Sequence, residues 1–357
     1  MNLKEGAWGG GNQFGKALVQ FLKKKNIEVS FDLKASDLDI CLLVEPDSRL
    51  GISAYSNKNI QRYLSFRNSN CIVVHRINNT SEARNDQLKR FNKYRIAANK
   101  VADHTVFVSQ WVHDIYVESG FISKDYSIIQ NGAPQELWFP NKQSEPSSKK
   151  SLVTHHWSDN PLKGFDIYIR LDEMLKLKKW SDKISFTYIG NLPEGIHFET
   201  SNYYGPMSGN QLVKEIQRHD IYLTASRNEA GPMHCIEGAL CGSPLLFIKS
   251  GSLPEYCNGF GVSFTLDTFE EKLEEMLDTY DYWVKKMSSY PHTSEKMCNE
   301  YYILFQKLLD NREHILSQRK PTAKASLVEK TSYKINEVKD SFKKLVPNSV
   351  LRRFGSR

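Results

Sequence analysis

Residues 227–255 read RNEAGPMHCIEGALCGSPLLFIKSGSLPE and set Glu229 and Glu237 eight positions apart. The spacing predicts a loop carrying Glu229, then a helix entered near Pro232 with Glu237 about one turn in. Proline suits a first helical position, because the N–H it lacks would be unpaired there. Gly242, Ser243 and Pro244 then stop the helix. Leu245–Ile248 reads as a short buried strand. A helix N-terminus has unpaired N–H groups and the positive end of the dipole, so it favours an anion. Two carboxylates beside such a site suit a ligand that carries both phosphate and hydroxyls. The plain alternative is a solvated strand–helix–strand unit with surface glutamates.

Working outward, short apolar or β-branched runs alternate with amphipathic stretches. Leu152–His156, Ile184–Ile189 and Asp220–Ala225 read as strands upstream of the central unit. A first series, Asp39–Val44, Cys71–His75, Thr105–Ser109 and Ser127–Gln130, is interleaved with helical segments such as Asn57–Phe66 and Asp86–Val101. Such alternation predicts parallel sheets with helices on both faces. Residues 134–150, PQELWFPNKQSEPSSKK with Ala133 ahead of them, are rich in Pro, Ser and charge and read as a linker. The organisation expected is a first α/β domain over 1–133, the linker over 134–150 and a second α/β domain over 151–293. A C-terminal helix over 294–318, possible to pack back on the first domain, and a basic tail over 319–357 complete it.

The central run resembles the E-x7-E signature of retaining glycosyltransferases with the GT-B fold, most closely glycosyltransferase family 4. That pattern is roughly E-G-F-G-L-x-x-x-E-A-M-A-C-G-T-P-V-V, then G-G-x-P-E. Glu229, Glu237, Ala239, Cys241, Gly242, Ser243, Pro244, Gly251, Pro254 and Glu255 fit it in order. The Phe-Gly after the first Glu is Gly231-Pro232 here, and Pro232 has no N–H to donate. The resemblance implies two Rossmann-like domains facing each other across a cleft. The implied activity is transfer of a sugar from a nucleotide-diphosphate donor to a glycan or lipid-linked acceptor, with retention at the anomeric carbon and without a bound metal or other cofactor.

The resemblance also implies site residues. Lys163 and Gly164, after a strand and before a helix starting near Phe165, match a K-G that sets lysine on the donor diphosphate. Glu229 falls to the donor sugar and Glu237 to the ribose hydroxyls. Where relatives carry an arginine upstream, this chain has His155, His156 and Trp157, read either as phosphate donors or as strand-end residues without a ligand. Arg227, Gly231 and Met233 complete the second-domain set. In the first domain, Trp8 to Gly15 (WGGGNQFG) precede an expected helix over Lys16–Lys25, and Gly10 and Gly11 are assigned to a glycine-rich loop facing the cleft. His75, ending its strand, is expected near the donor sugar, with a satisfied structural histidine as the alternative. The implied catalytic set is thus Glu229, Lys163 and His75.

Composition bounds these readings. The chain has 357 residues, 40% hydrophobic and 25% charged, which suits a globular two-domain protein. No run of about 18 apolar residues exists, and the first 30 residues lack the apolar region of a signal peptide. The six cysteines show no C-x-x-C and no zinc-ligand spacing, so a reduced, cytoplasmic setting is expected. Residues 319–357 hold 11 Lys or Arg against three Asp or Glu, whereas the preceding 318 hold 37 against 38. A nearly neutral body carries no sign of a nucleic-acid-binding face. In the tail, Val328, Thr331, Ile335, Val338, Phe342 and Leu345 form a helical stripe among lysines. The tail is expected to meet an anionic membrane surface or to pack on protein.

Two other function classes fit parts of the chain. A sugar-nucleotide-binding pseudoenzyme would suit the His155/His156 replacement and Pro232. An NAD-dependent oxidoreductase would use the N-terminal G-x-G-x-x-x-G, but MNLKEGA is a poor preceding strand.

Overall fold

The computed structural model describes residues 2–3, 10–47, 53–122, 125–141 and 149–319. The first lobe runs α1 (Gly10–Lys24), β1 (Ile40–Leu43), α2 (Asn57–Phe66), β2 (Ile72–Ile77), α3 (Arg90–Asn99), β3 (His104–Phe107), α4 (Gln110–Glu118) and β4 (Tyr126–Ile128). The second runs β5 (Lys150–His156), α5 (Phe165–Met174), α6 (Lys178–Ser181), β6 (Ile184–Gly190), β7 (Asn202–Tyr204), α7 (Gly209–Ile216) and β8 (Ile221–Thr224). It continues through α8 (Met233–Leu240), β9 (Leu245–Ile248), α9 (Leu253–Cys257), β10 (Gly261–Phe264), α10 (Phe269–Asp278) and α11 (Tyr280–Met287). Two closing helices follow, α12 (Ser294–Asp310) and α13 (Arg312–Gln318).

Four parallel strands form the first sheet in the order β1-β2-β3-β4. Each crossover steps the same way. Right-handed connections therefore put α2, α3 and α4 on one face. Alternate residues of β2 then meet different neighbours. Val73 packs with Ile60 and Tyr63 of α2, and Ile77 with Val112 and Tyr116 of α4. Ile72 and Val74 face the other way, toward Phe14, Leu18 and Leu22 of α1 and Met297, Tyr301 and Leu304 of α12. The chain thus leaves the second lobe and covers the first. A Cβ at Gly132 would lie 2.1 Å from the Thr293 carbonyl oxygen, and Ala133 pairs with Thr293. The two passages between lobes therefore run side by side.

The second sheet holds six parallel strands in the order β10-β9-β8-β5-β6-β7. The order reverses between β5 and β8, and loops leaving a sheet at such a switch point enclose a crevice. Tyr168, Phe186, Tyr222 and Phe247 are fully buried around this sheet. Interlobe contacts fix the crevice against the first lobe. Glu255 accepts the N–H groups of Gln110 and Trp111 at 2.7 Å each, capping α4 from the opposite lobe. Tyr256 donates to the Val108 carbonyl at 2.5 Å and accepts from Asn131 N–H at 2.9 Å.

Two expected helices differ. The first begins at Gly10 rather than Lys16, because Phe14, Leu18 and Leu22 form a stripe that packs on α12. Tertiary burial of that stripe outweighs the poor helix propensity of glycine. The helix expected over Asp86–Val101 begins at Arg90, since Asn85 and Lys89 hold positive φ of 56° and 51°. The Asp86 carboxylate accepts Phe91 N–H at 2.8 Å, which serves the start of that helix. Trp8 and Gly9, part of the linker (142–148) and the tail stripe with its lysines lie outside the described residues.

At the far end, Arg319 pairs with Asp103 and donates to the carbonyls of Ser69 and Cys71. These groups stand at the N-terminal ends of β2 and β3, opposite the crevice. Among the described residues no helix is long and apolar enough to cross a membrane.

Candidate functional site

A cleft of about 780 Å³ lies between the lobes. Its second-lobe wall is built at the switch point. β5 ends on His155 and His156, and a short 3-10 turn, Pro161–Lys163, follows. Asn160 caps that turn through Leu162 N–H at 2.9 Å. Gly164 holds φ +81°, and a Cβ there would stand 2.2 Å from the Ala225 carbonyl oxygen. Only glycine lets α5 start so close to the end of β8. Lys163 is thereby aimed at Glu229, with Nζ 2.5 Å from Oε1.

Glu229 follows β8 and also accepts the Ser226 hydroxyl at 2.5 Å. Burial pushes its carboxyl up, but Lys163, His234 and the Lys163 and Ser226 hydrogen bonds outweigh that and hold it at about 2. It is a carboxylate at any working pH and has no proton to give. The Gly251–Ser252 segment closes over its backbone, with Ser252 N–H donating to the Glu229 carbonyl at 2.8 Å. Arg227 pairs with Asp166 of α5.

α8 brings the second carboxylate. Glu237 stands 2.8 Å from His155 Nε2. The Tyr222 hydroxyl accepts His155 N–H at 3.2 Å and lies 2.9 Å from its Nδ1. Facing a carboxylate, Nε2 is assigned a proton, which it donates to Glu237. Gly238 makes room for this arrangement, since a Cβ there would fall 2.2 Å from Cδ2 of the Tyr222 ring. At the start of α8, Pro232 offers no side-chain cap. Met233 and His234 line the cleft there, and His234 Nε2 lies 3.0 Å from the Thr224 hydroxyl.

His156 serves differently from His155. The Tyr168 hydroxyl accepts Ala225 N–H at 3.0 Å and lies 2.9 Å from His156 Nε2. Burial, then His234 and Lys163, push this imidazole well below its usual range. His156 lines the cleft as a neutral ring.

From the first lobe come Gly10, Gly11, Gln13, Arg76, Asn78, Asn79, Arg84 and Asn131. Gly10 and Gly11 stand in the first turn of α1, not in a loop before it. Gly10 lies against the Met233 side chain across the cleft, so a Cβ there would approach Met233 Cγ to 2.8 Å. Gly231 meets Asn131, whose Nδ2 donates to its carbonyl at 3.4 Å.

His75 does not join this set. It points to the α3 face, where Nδ1 lies 2.7 Å from Asn99 Oδ1. It is fully buried, and burial lowers its imidazole to about 4. The next residue, Arg76, takes the opposite face of β2 and reaches the cleft. The other assigned residues, Lys163, Gly164, His155, His156, Arg227, Glu229, Gly231, Met233 and Glu237, gather around one crevice, with Gly164 behind Lys163 as its hinge. Sequence reading missed Arg76, His234, Ser226 and Asn131. A strand ending H-R signals Arg76 only once the cleft-facing side of the sheet is known. Among the described residues no group of three or more His, Cys, Asp or Glu is placed to hold a metal ion.

No family model matches the chain. It is 22% identical over 240 residues to "Uncharacterized protein 356" of Sulfolobus islandicus rod-shaped virus 1, covering 57% of this chain and 67% of that one. It is 27% identical over 128 residues to an uncharacterized 41.2 kDa protein in the cps region of Klebsiella pneumoniae, about a third of each chain (35% and 36%). Among solved structures, sucrose-phosphate synthase of Thermosynechococcus elongatus aligns with a TM-score of 0.59 at 12% identity, covering 85% of this chain and 94% of that one. The catalytic domain of starch synthase IV of Arabidopsis thaliana, bound to ADP and acarbose, aligns at 0.59 with 13% identity, covering 85% and 79%. HepE of Anabaena, in complex with UDP and glucose, aligns at 0.53 with 12% identity, covering 87% and 84%. These neighbours share the GT-B architecture, and the fold of this chain is GT-B: two parallel α/β lobes facing each other across a cleft.

Proposed function

We propose that the protein is a retaining glycosyltransferase that moves a sugar from a nucleotide-diphosphate donor to a glycan or lipid-linked acceptor. The observation that carries this reading is the joint placement of Lys163 on Glu229 and His155 on Glu237 beside the uncapped start of α8, inside an interlobe cleft. The architectural likeness to nucleotide-sugar enzymes supports it, as do the ADP and UDP named for two of those structures.

Breaking a glycosyl–phosphate bond leaves negative charge on the departing diphosphate and positive charge on the sugar ring. Lys163, with the positive end of the α8 dipole, stabilises the diphosphate. A charge-assisted bond of that kind contributes about 1.5–3 kcal/mol. Glu229, permanently ionised, faces the positive sugar ring rather than acting as a general acid. Glu237, oriented by the Tyr222–His155 pair, takes the ribose hydroxyls, and the neutral His156 ring lies beside the ligand. With a cation and a helix dipole supplied by the protein, transfer proceeds without a divalent cation, in a reduced cytoplasmic setting. The basic tail over 319–357 places the enzyme at an anionic membrane surface, which suits polysaccharide or glycolipid assembly.

A thermal-shift screen of nucleotide sugars tests the donor, since a ligand at 100 times its Kd stabilises by about 2.7 kcal/mol. Release of nucleoside diphosphate from the stabilising donor then tests transfer, and it should persist in EDTA. No stabilisation by any nucleotide sugar would reject the reading. Loss of activity in EDTA with rescue by Mg²⁺ would reject metal independence alone. Co-sedimentation with anionic vesicles tests the tail.

A second reading, a nucleotide-sugar-binding pseudoenzyme, is favoured by one feature: Lys163 and Glu229, and His155 and Glu237, already satisfy each other within the cleft. Donor-induced stabilisation without any diphosphate release would select it. The oxidoreductase reading needs Gly10 and Gly11 in a loop ahead of a helix, whereas both stand in the first turn of α1.

A further inference from the structure

The two walls of the cleft differ in charge. On the second-lobe wall each cation has a carboxylate partner, Lys163 with Glu229 and Arg227 with Asp166, and Glu237 lies against the His155 ring. On the first-lobe wall two arginines line the cleft, Arg76 and Arg84, and no Asp or Glu does so among the described residues. Among the described residues neither arginine pairs with a carboxylate; their contacts include Asn131 and the Phe14 ring for Arg76 and the Phe91 ring for Arg84. Arg84 is exposed and lies over the Phe91 ring, 4.7 Å from its centroid.

Arg76 is the stronger anomaly. Its side chain is 2% exposed, so it is a cation withdrawn from water. A guanidinium offers five N–H donors. Nη2 donates to Asn131 Oδ1 at 2.8 Å, while Nη1 is buried with only the neutral Tyr301 hydroxyl near it and no well-formed hydrogen bond. The Phe14 ring, 3.9 Å from the guanidinium carbon, softens the burial by cation–π attraction. That contact and the nearby Tyr256 and Tyr301 hydroxyls supply partial charge and no full countercharge. A buried charge is costly unless paired. Chains that keep one at the wall of a ligand cleft have a use for it there.

We infer that the first-lobe wall binds an anionic group of the acceptor, a carboxylate or a phosphate, through Arg76 at depth and Arg84 at the mouth. The donor diphosphate has its own cation and helix terminus on the opposite wall, so these arginines serve a second anion. The inference rests on the transferase reading for its division of the cleft into donor and acceptor walls. An acceptor of this class is an acidic sugar or a sugar phosphate unit, and the reaction that precedes this one must leave such a group on the growing product.

The test uses the full chain saturated with UDP or ADP, whichever stabilises it more. Methyl glucuronoside, glucose 6-phosphate and methyl glucoside supply carboxylate, phosphate and neutral probes, each titrated by saturation-transfer NMR. One anionic probe should bind at least about ten-fold more tightly than the neutral one, the ratio expected of a single charge-assisted contact. Whichever anionic probe binds tighter identifies the group. Arg84→Gln and, separately, Arg76→Lys should each cut that advantage several-fold and leave nucleoside-diphosphate affinity unchanged. Arg84 is exposed, so its variant stays informative even if a change at the buried position impairs folding. Equal affinity for all three probes would overturn the inference, as would an advantage that survives the Arg84 change. Loss of nucleoside-diphosphate affinity in these variants would overturn it too, by assigning the arginines to the donor. Failure of UDP and ADP to bind the wild-type chain would count against the transferase reading instead, and the probes would then be compared on the unsaturated chain by the same criteria.

Discussion

Lys163 links affinity to stability at a single residue. Lys163→Ala removes a cation from the diphosphate site and also leaves Glu229 without its main partner. Nucleoside-diphosphate affinity should fall by roughly 10- to 100-fold, the range of one charge-assisted contact. The stability cost has a defined pH window. Glu229 is held at about 2, below the 4.5 of an ordinary glutamate. Its contribution is therefore present above pH 4.5 and is lost as pH falls toward 2. Urea midpoints of wild type and variant should differ at pH 7 and converge only as pH falls to about 2, where Glu229 protonates in the native state too; a gap that persists there would mean that Lys163 stabilises by packing. Both glutamates were legible in the sequence because their spacing is local and the loop–helix unit is short. His75 was misplaced for a non-local reason. A two-residue period puts His75 and Arg76 on opposite faces, but choosing between the faces requires knowing where α12 returns.

At the scale of elements, α8 and β8 are fitted to each other through Gly238 and the Tyr222 ring. Gly238→Ala adds only a methyl group and would improve helix propensity by about 1 kcal/mol on an exposed helix. Here it should destabilise instead, by about 1–3 kcal/mol, because the ring has no room to retreat. The displaced ring should also loosen the hold of Tyr222 on His155 and so weaken nucleotide binding through Glu237. Thermal melting and nucleotide calorimetry on this variant check both effects, and a variant more stable than wild type would show that the ring can move. The resembled pattern carries alanine at this place, so the glycine was a visible departure in the sequence. Its cause was invisible, since Tyr222 is 16 residues upstream and meets α8 only after β8 is in the sheet. Helix boundaries were lost for similar reasons. The early start of α1 depends on α12, nearly three hundred residues away, and the late start of α3 on a cap from Asp86.

For the whole molecule, both sheets were predicted from alternation, and the parallel order follows from crossovers that sequence spacing allows. The joining of the lobes was not legible, because it uses dispersed single contacts such as Glu255 on α4. Folding also buries His75, His104 and His292 as neutral rings, each lowered to about 4 mainly by burial. The unfolded chain protonates them near 6.5, so between about pH 6.5 and 4 it binds more protons than the native state. Stability should therefore fall steadily as pH drops through that window, with each ring contributing on the order of 1–3 kcal/mol. The Glu229 pair is intact throughout most of it, so the slope belongs to these three rings together with His156 and His219, which burial also lowers. Urea midpoints across pH 4–7 measure it, and His75→Gln should flatten it; a level profile would show that these rings titrate normally.

The Arg319 clamp decides where this protein can be cut or held. Its partner Asp103 is buried and also accepts Val73 N–H at 2.7 Å. A chain ending at residue 318 would leave that carboxylate unpaired and should melt below one ending at 319, by the several degrees that about 1–3 kcal/mol represents. Equal melting of the two would show the clamp to be idle. The clamp also sits at the base of the first sheet, while the cleft opens at the strand ends about 20 Å away, the length of the six-residue β2. A molecule immobilised on a sensor surface just beyond residue 319 would thus stand with its cleft turned to the flowing solution, the orientation that binding measurements on this protein need.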